Sequence, residues 1–170
     1  GRGTAGARRS GQVAEILLKL RRRARIAAFQ ALFEIDIVGH DPARSIRMRL
    51  EEVSMPPEGE QFSRDLTLGV LQYRERLDQI LQRIAPEWPI EQMAVIDRNI
   101  LRLAAYEILC QHETPPKVAI NEAVELAKLF GSDSSGRFVN GVLGTLVARR
   151  HEYAKEATAP IPPTPPQTTS

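Results

Sequence analysis

Apolar residues recur along this chain at intervals of three and four, in runs separated by Gly and Pro. That spacing places them on one face of an α-helix. The first clear run spans about Arg21 to Val38 and stops at Gly39, a residue that readily closes helices. Asp41-Pro42 then supplies a helix cap and a proline suited to the first helical position, and predicts a second helix to about Val53. Pro56-Pro57 breaks the chain. A third helix starts near Glu58 with Phe62, Leu66, Gly69, Val70 and Tyr73 at helical spacing. It continues or restarts through Leu77, Ile80, Leu81 and Ile84, before Pro86. After Trp88-Pro89, a helix over about Ile90 to Gln111 is apolar around most of its circumference between Ile100 and Leu109, as a central buried helix is.

Thr114-Pro115 reads as another cap and proline pair. It opens a helix with Ile120, Val124 and Ala127 on one stripe, closed by Gly131. Ser132-Asp133 caps a last helix through Phe138, Val142 and Leu146 to about Tyr153. The period-two alternation of strands does not occur, so the fold class is all-α, with about six to seven helices. Gly69, Gly141 and Gly144 inside helices are expected to mark close approach of neighbours, since each costs about 1 kcal/mol relative to Ala. The Gly-rich stretch 1–12 is expected to lack order, and 13–20 to extend the first helix or form a short one. The folded unit is thus 21–155, between an extension (1–20) without order or partly helical and a Pro-rich tail (156–170) without order.

Composition changes this picture little. The 170 residues are 42% hydrophobic and 26% charged, enough for one domain with tails. Aromatics are only 5%, so the core is built from Leu, Ile, Val and Ala. The lone cysteine, Cys110, reads as a small core hydrophobe and excludes a disulfide framework, which fits a cytoplasmic protein. No apolar stretch approaches the ~20 residues that span a bilayer. His40, His112 and His151 are scattered, and Cys110 with His112 is too few ligands for a metal site. Gly131 to Arg137 lacks the Lys-Ser/Thr ending and the preceding strand of a phosphate loop. The carboxylates sit at helical surface spacing, Glu122, Glu125 and Asp97 among them. Neither a catalytic constellation nor a cofactor is indicated, so the chain is not read as an enzyme.

One cluster does carry chemistry. Arg21-Arg22-Arg23-Ala24-Arg25 sets four guanidinium groups within about two turns, and net charge is only +2, so the basic surface is local. Arginine stays charged, and its planar fork suits phosphate. Two readings exist: a solvated charge run, or an exposed helix that binds a nucleic-acid backbone.

A set of motifs sharpens the choice. The arginine run is followed by Phe29-Gln30-Ala31-Leu32-Phe33, then Leu101-Arg102-Leu103-Ala104-Ala105-Tyr106-Glu107. Lys117-Val118-Ala119-Ile120-Asn121-Glu122-Ala123 and Phe138-Val139-Asn140-Gly141-Val142-Leu143 complete it. Over about 21–150 this order and spacing resemble the NusB family of bacterial transcription antitermination factors. The resemblance implies two small three-helix-type bundles packed perpendicular to each other. It also implies a non-enzymatic protein that grips single-stranded boxA RNA together with ribosomal small-subunit protein ten (NusE) and supports processive transcription of ribosomal RNA by RNA polymerase. Matching positions assign RNA contact to Arg21, Arg22, Arg23, Arg25, Gln30, Phe33, Lys117 and Phe138. For Phe33 and Phe138 core packing is the competing role; for Lys117 it is simple solvation. The partner-binding positions are Asp97, Asp133 and Ser134. Ser134 departs from the acidic residue common in the family, and Asp133 stands beside it. Two other readings attach to the resemblance: the NusB-like domain of a ribosomal RNA cytosine methyltransferase, and a homodimer that buries the arginine helix.

Overall fold

The computed structural model describes residues 2–163; of the Pro-rich tail, 164–170 lie outside the described residues. Among the described residues there are seven α-helices and one wider turn: α1 (Arg2–Val38), α2 (Pro42–Glu52), α3 (Pro57–Ile84), α4 (Val95–Tyr106), a π-turn (Glu107–Gln111), α5 (Pro116–Phe130), α6 (Ser135–Ala148) and α7 (Arg150–Ala157). Helices α1, α2 and α3 pack on one another, as do α4, α5 and α6, and α4 joins the two groups by lying against α1 and α3. Helix α7 returns to cover α3 and the π-turn. Leu66, Leu77, Ile80, Ile100, Leu101 and Leu143 meet in a core with essentially no exposure.

The punctuation expected from sequence is largely where the chain turns. Gly39 adopts φ +70, a left-handed conformation that glycine takes without strain, and its N–H donates to the Ile35 carbonyl at 3.1 Å. Pro42 opens α2, although the Asp41 side chain makes no capping bond. Gly69 is a true close approach: a Cβ there would lie 2.1 Å from Cζ of Tyr106. Gly141 and Gly144 have open space instead, so the close contact expected there does not occur.

Four boundaries differ. The opening stretch, expected without order, continues α1 to Arg2. A helix already nucleated by the packed segment adds residues without a new nucleation cost, and its few glycines do not stop it. Its 5–19 segment is exposed, Val13 and Ile16 included. The helix expected from Ile90 begins only at Val95, because the Gln92 and Met93 N–H groups turn onto the Pro89 carbonyl. The last predicted helix is two: at Arg149 one N–H is shared between the Thr145 and Leu146 carbonyls, and the bend brings Tyr153 into the core. Thr114 is not the cap of α5, which starts at Pro116 with Pro115 before it; its hydroxyl points inward.

Candidate nucleic-acid interface

Helix α1 buries Ala24, Ala27, Ala28 and Ala31 against its neighbours, and these small side chains let α3 and α4 come close. The arginines between them fan around the helix and meet different surroundings. Arg25 is 2% exposed. Its Nε and Nη2 donate to both oxygens of Glu107 at 2.8–3.1 Å, and Nη2 also donates to Thr114 Oγ1 at 3.2 Å. Thr114 in turn donates to Glu107 at 3.0 Å, and the Phe62 ring lies 5.2 Å from the Arg25 guanidinium carbon. Arg25 was expected at an RNA surface; the structure places it inside. A guanidinium in a low-dielectric interior needs a carboxylate, and the π-turn delivers Glu107 to it.

Arg22 stands one turn earlier, with its side chain 43% exposed. It donates through Nε and Nη2 to Glu122 of α5 at 3.0 and 2.8 Å. The hydrogen bond to Glu122 holds its pKa above the ordinary arginine value, against the opposing effect of burial. Arg21 lies over the Phe62 ring at 4.9 Å and is 3.9 Å from Glu113, the length of a weak pair. Arg23 is exposed and donates to the Ser54 carbonyl. The cluster is therefore graded, from a buried Arg25 held by Glu107 through Nε and Nη2 to an exposed Arg23 without a carboxylate partner among the described residues.

The remaining expected RNA residues divide in two. Gln30 is half-buried, and Lys117 is exposed in the first turn of α5. Phe33 is half-buried against the core, its ring 6.2 Å from that of Phe29. Phe138 sits elsewhere, edge-on to Trp88 at 6.0 Å. With Trp88, Met93, Asp97, Ser134 and Arg137 it lines an open groove of about 470 Å3. Asp97 and Ser134, expected at a partner surface, are thus brought together, and Phe138 joins them. Asp97 Oδ1 is buried without a hydrogen-bond donor among the described residues. Asp133 lines the adjoining hollow with Lys128 and Asn140, next to the groove. Burial pushes the Cys110 thiol up to about 11, which suits an inert core sulfur.

Sequence reasoning missed a second charged network at the far end of α1. Asp36 accepts from Arg98 at 2.8 and 2.9 Å, from Asn99 at 2.8 Å and from Arg102 at 3.1 Å. Arg102 also donates to Asp78 of α3 at 2.7 and 2.9 Å. Burial opposes the Asp36 charge, but hydrogen bonds from Arg98 and Asn99 and the charge of Arg102 prevail, so its pKa lies below the usual carboxylate value. The i, i+4 spacing of Arg98 and Arg102 was the available signal.

These features define an all-helical protein with two distinctive surfaces, a basic helix end and an open groove beside a carboxylate oxygen that is unpaired among the described residues. The NusB family model matches residues 22–148, and the chain belongs to the NusB family. It is 51% identical to the transcription antitermination protein NusB of Roseiflexus sp. (strain RS-1), over 82% of this chain and 99% of that protein. The Chloroflexus aggregans protein of the same name is 48% identical over 78% of this chain and 90% of its own length. Among solved structures, T. maritima NusB superposes with a TM-score of 0.73 at 33% identity, covering 81% of this chain and 95% of that one. NusB crystallised with NusE and dsRNA superposes with a TM-score of 0.71 at 25% identity, over 76% and 97%. Among the described residues no helix is long and apolar enough to cross a membrane.

Proposed function

We propose that this chain is a transcription antitermination factor acting as a non-enzymatic cytoplasmic adaptor. The Arg21–Arg23 end of α1 lies along single-stranded boxA RNA, with Gln30 and Lys117 extending the contact. The groove of Asp97, Ser134 and Phe138 receives ribosomal small-subunit protein ten (NusE). The pair then serves the RNA polymerase complex on ribosomal RNA genes. The observation that carries the reading is the surplus of guanidinium donors at Arg21–Arg23 beyond what nearby carboxylates take up, at the start of the segment the family model matches, which begins at Arg22. Solvent-facing donors of this kind gain affinity by releasing phosphate counterions. The relative solved with NusE and dsRNA lends support to the RNA and partner classes together.

Neither surface need bind tightly alone, because joining them raises effective concentration. The buried Asp97 Oδ1 supplies the groove with a specific demand, a donor from the partner. The test is ternary assembly of the full chain with ribosomal protein ten and a boxA oligonucleotide, set beside a scrambled strand and a boxA duplex. Assembly on the boxA single strand alone is the expected result. Equal assembly on the scrambled strand overturns sequence-selective binding, and preference for the duplex overturns the single-strand assignment.

A further inference from the structure

Two neighbouring observations at the arginine surface are explained together by a pair of states. Glu122 is almost wholly buried, yet its carboxylate holds the solvent-reaching Arg22 through two hydrogen bonds. Its Oε2 is also 4.0 Å from Nη1 of Arg25, a buried nitrogen that has no hydrogen-bond partner among the described residues. An unpaired buried donor is costly. Arg25 cannot turn to relieve it, because Glu107 and Thr114 fix its other two nitrogens. The acceptor must come to the donor, and a shift of roughly 1 Å brings Oε2 within hydrogen-bond distance.

We infer that Glu122 is the specificity-determining residue of this surface. It occupies Arg22 in the free protein and passes to Nη1 of Arg25 when a phosphate takes Arg22. This rests on the RNA-binding reading above. A phosphate attracted only by diffuse charge meets an Arg22 whose Nε and Nη2 are already engaged, and must displace a charge-assisted pair. A strand held in register by neighbouring contacts makes that displacement, and the released carboxylate completes the hydrogen bonding of Arg25. Glu122 thus weakens binding of arbitrary polyanions more than binding of a registered strand. A carboxylate in the binding surface is then part of recognition, in the manner of repulsive elements that discriminate against wrong partners.

Glu125 provides a charge-matched control. It lies on the same helix and attracts Arg22 electrostatically, but is bonded to Lys128 at 3.5 Å and not to Arg22. The full chain, as Glu122→Gln and as Glu125→Gln, is titrated with a uridine dodecamer and with boxA RNA. Glu122→Gln is expected to tighten the uridine strand about tenfold, the scale of one charged hydrogen bond. It should tighten boxA by less, so that selectivity falls. Glu125→Gln is expected to change both by about threefold or less. Equal effects of the two variants on selectivity overturn the inference.

A measurement on the unaltered protein decides the matter if Glu122→Gln does not fold. The Nε–H nuclear magnetic resonance signals of Arg22 and Arg25 are followed during boxA titration. Both are expected to shift, although Arg25 is buried beyond the reach of RNA. A shift of Arg22 with Arg25 unmoved overturns the exchange and leaves RNA binding standing. Absence of RNA binding by both the natural protein and Glu122→Gln overturns the RNA-binding reading itself.

Discussion

The two ends of α1 use the same residue types for opposite purposes. At the C-terminal end, Asp36 and Asp78 face Arg98 and Arg102, and the guanidinium edges meet carboxylates, Asn99 or, at Arg98 Nη1, the Glu91 carbonyl. Charges are balanced, and the network joins α1, α3 and α4. At the arginine end, Glu107 serves Arg25 and Glu122 serves Arg22, but among the described residues Arg23 meets only a backbone carbonyl and Glu113 approaches Arg21 no closer than 3.9 Å. The run itself therefore does not make a free basic surface; an excess of donors over the acceptors that the fold supplies does.

The strongest way to break the comparison is Arg25→Ala, which strands the buried Glu107 carboxylate. It should destabilise the protein by about 3–5 kcal/mol, read by chemical denaturation. Any loss of RNA binding should then track unfolding and not a lost contact. If Arg25→Ala retains full stability and loses RNA, Arg25 belongs to the surface after all. Asp36→Asn comes next. It weakens the balanced network at a partly exposed site, by about 2 kcal/mol, and should leave RNA affinity in the folded protein unchanged.

The same residue predicts a pH effect. Because the folded carboxyl sits below its ordinary value of 3.8, its stabilisation is complete above that value and disappears as pH falls through the lower folded one. The stability gap between the natural protein and Asp36→Asn should therefore narrow on acidification below about pH 4, in denaturation curves at several pH values. Smallest in stability is Arg23→Ala. It should shift unfolding by under about 0.5 kcal/mol, since its side chain is exposed. It should nonetheless weaken RNA binding and lower the slope of log affinity against log salt by about one. An unchanged slope removes Arg23 from the interface.

Helix identities were legible because they rest on local signals. Gly39, Pro42 and Pro57 stop or start helices by backbone geometry, and the apolar stripes of α3 and α5 are periodic over enough residues to be plain. The interior ion pairs were not, because their members are far apart in the chain: Arg25 meets Glu107 across 82 positions and Arg22 meets Glu122 across 100. Periodicity says that Glu122 lies on a helix; it does not say which neighbour covers it. Thr114 before Pro115 looked like a cap because the local pattern permits that, and tertiary packing turned its hydroxyl to Glu107 instead. The bend at Arg149 carries no Gly or Pro and follows from burial of Tyr153. At the candidate site, the arginine cluster was legible in the residues themselves and the positions Asp97 and Ser134 came from the resemblance, while the division of the arginines into buried and exposed did not follow from anything local.

The π-turn makes chain length itself a determinant. Its closing hydrogen bond runs from the His112 N–H to the Glu107 carbonyl at 3.4 Å, and His112 leaves it with φ +58. Removing one residue between these two would rewind the turn as ordinary helix and rotate everything downstream by about 100° against α4. Thr114 would swing off Glu107, and Glu122 would face away from α1, without any of the three having been substituted. Insertions and deletions in this short stretch should thus be as damaging as loss of the charged residues it aligns.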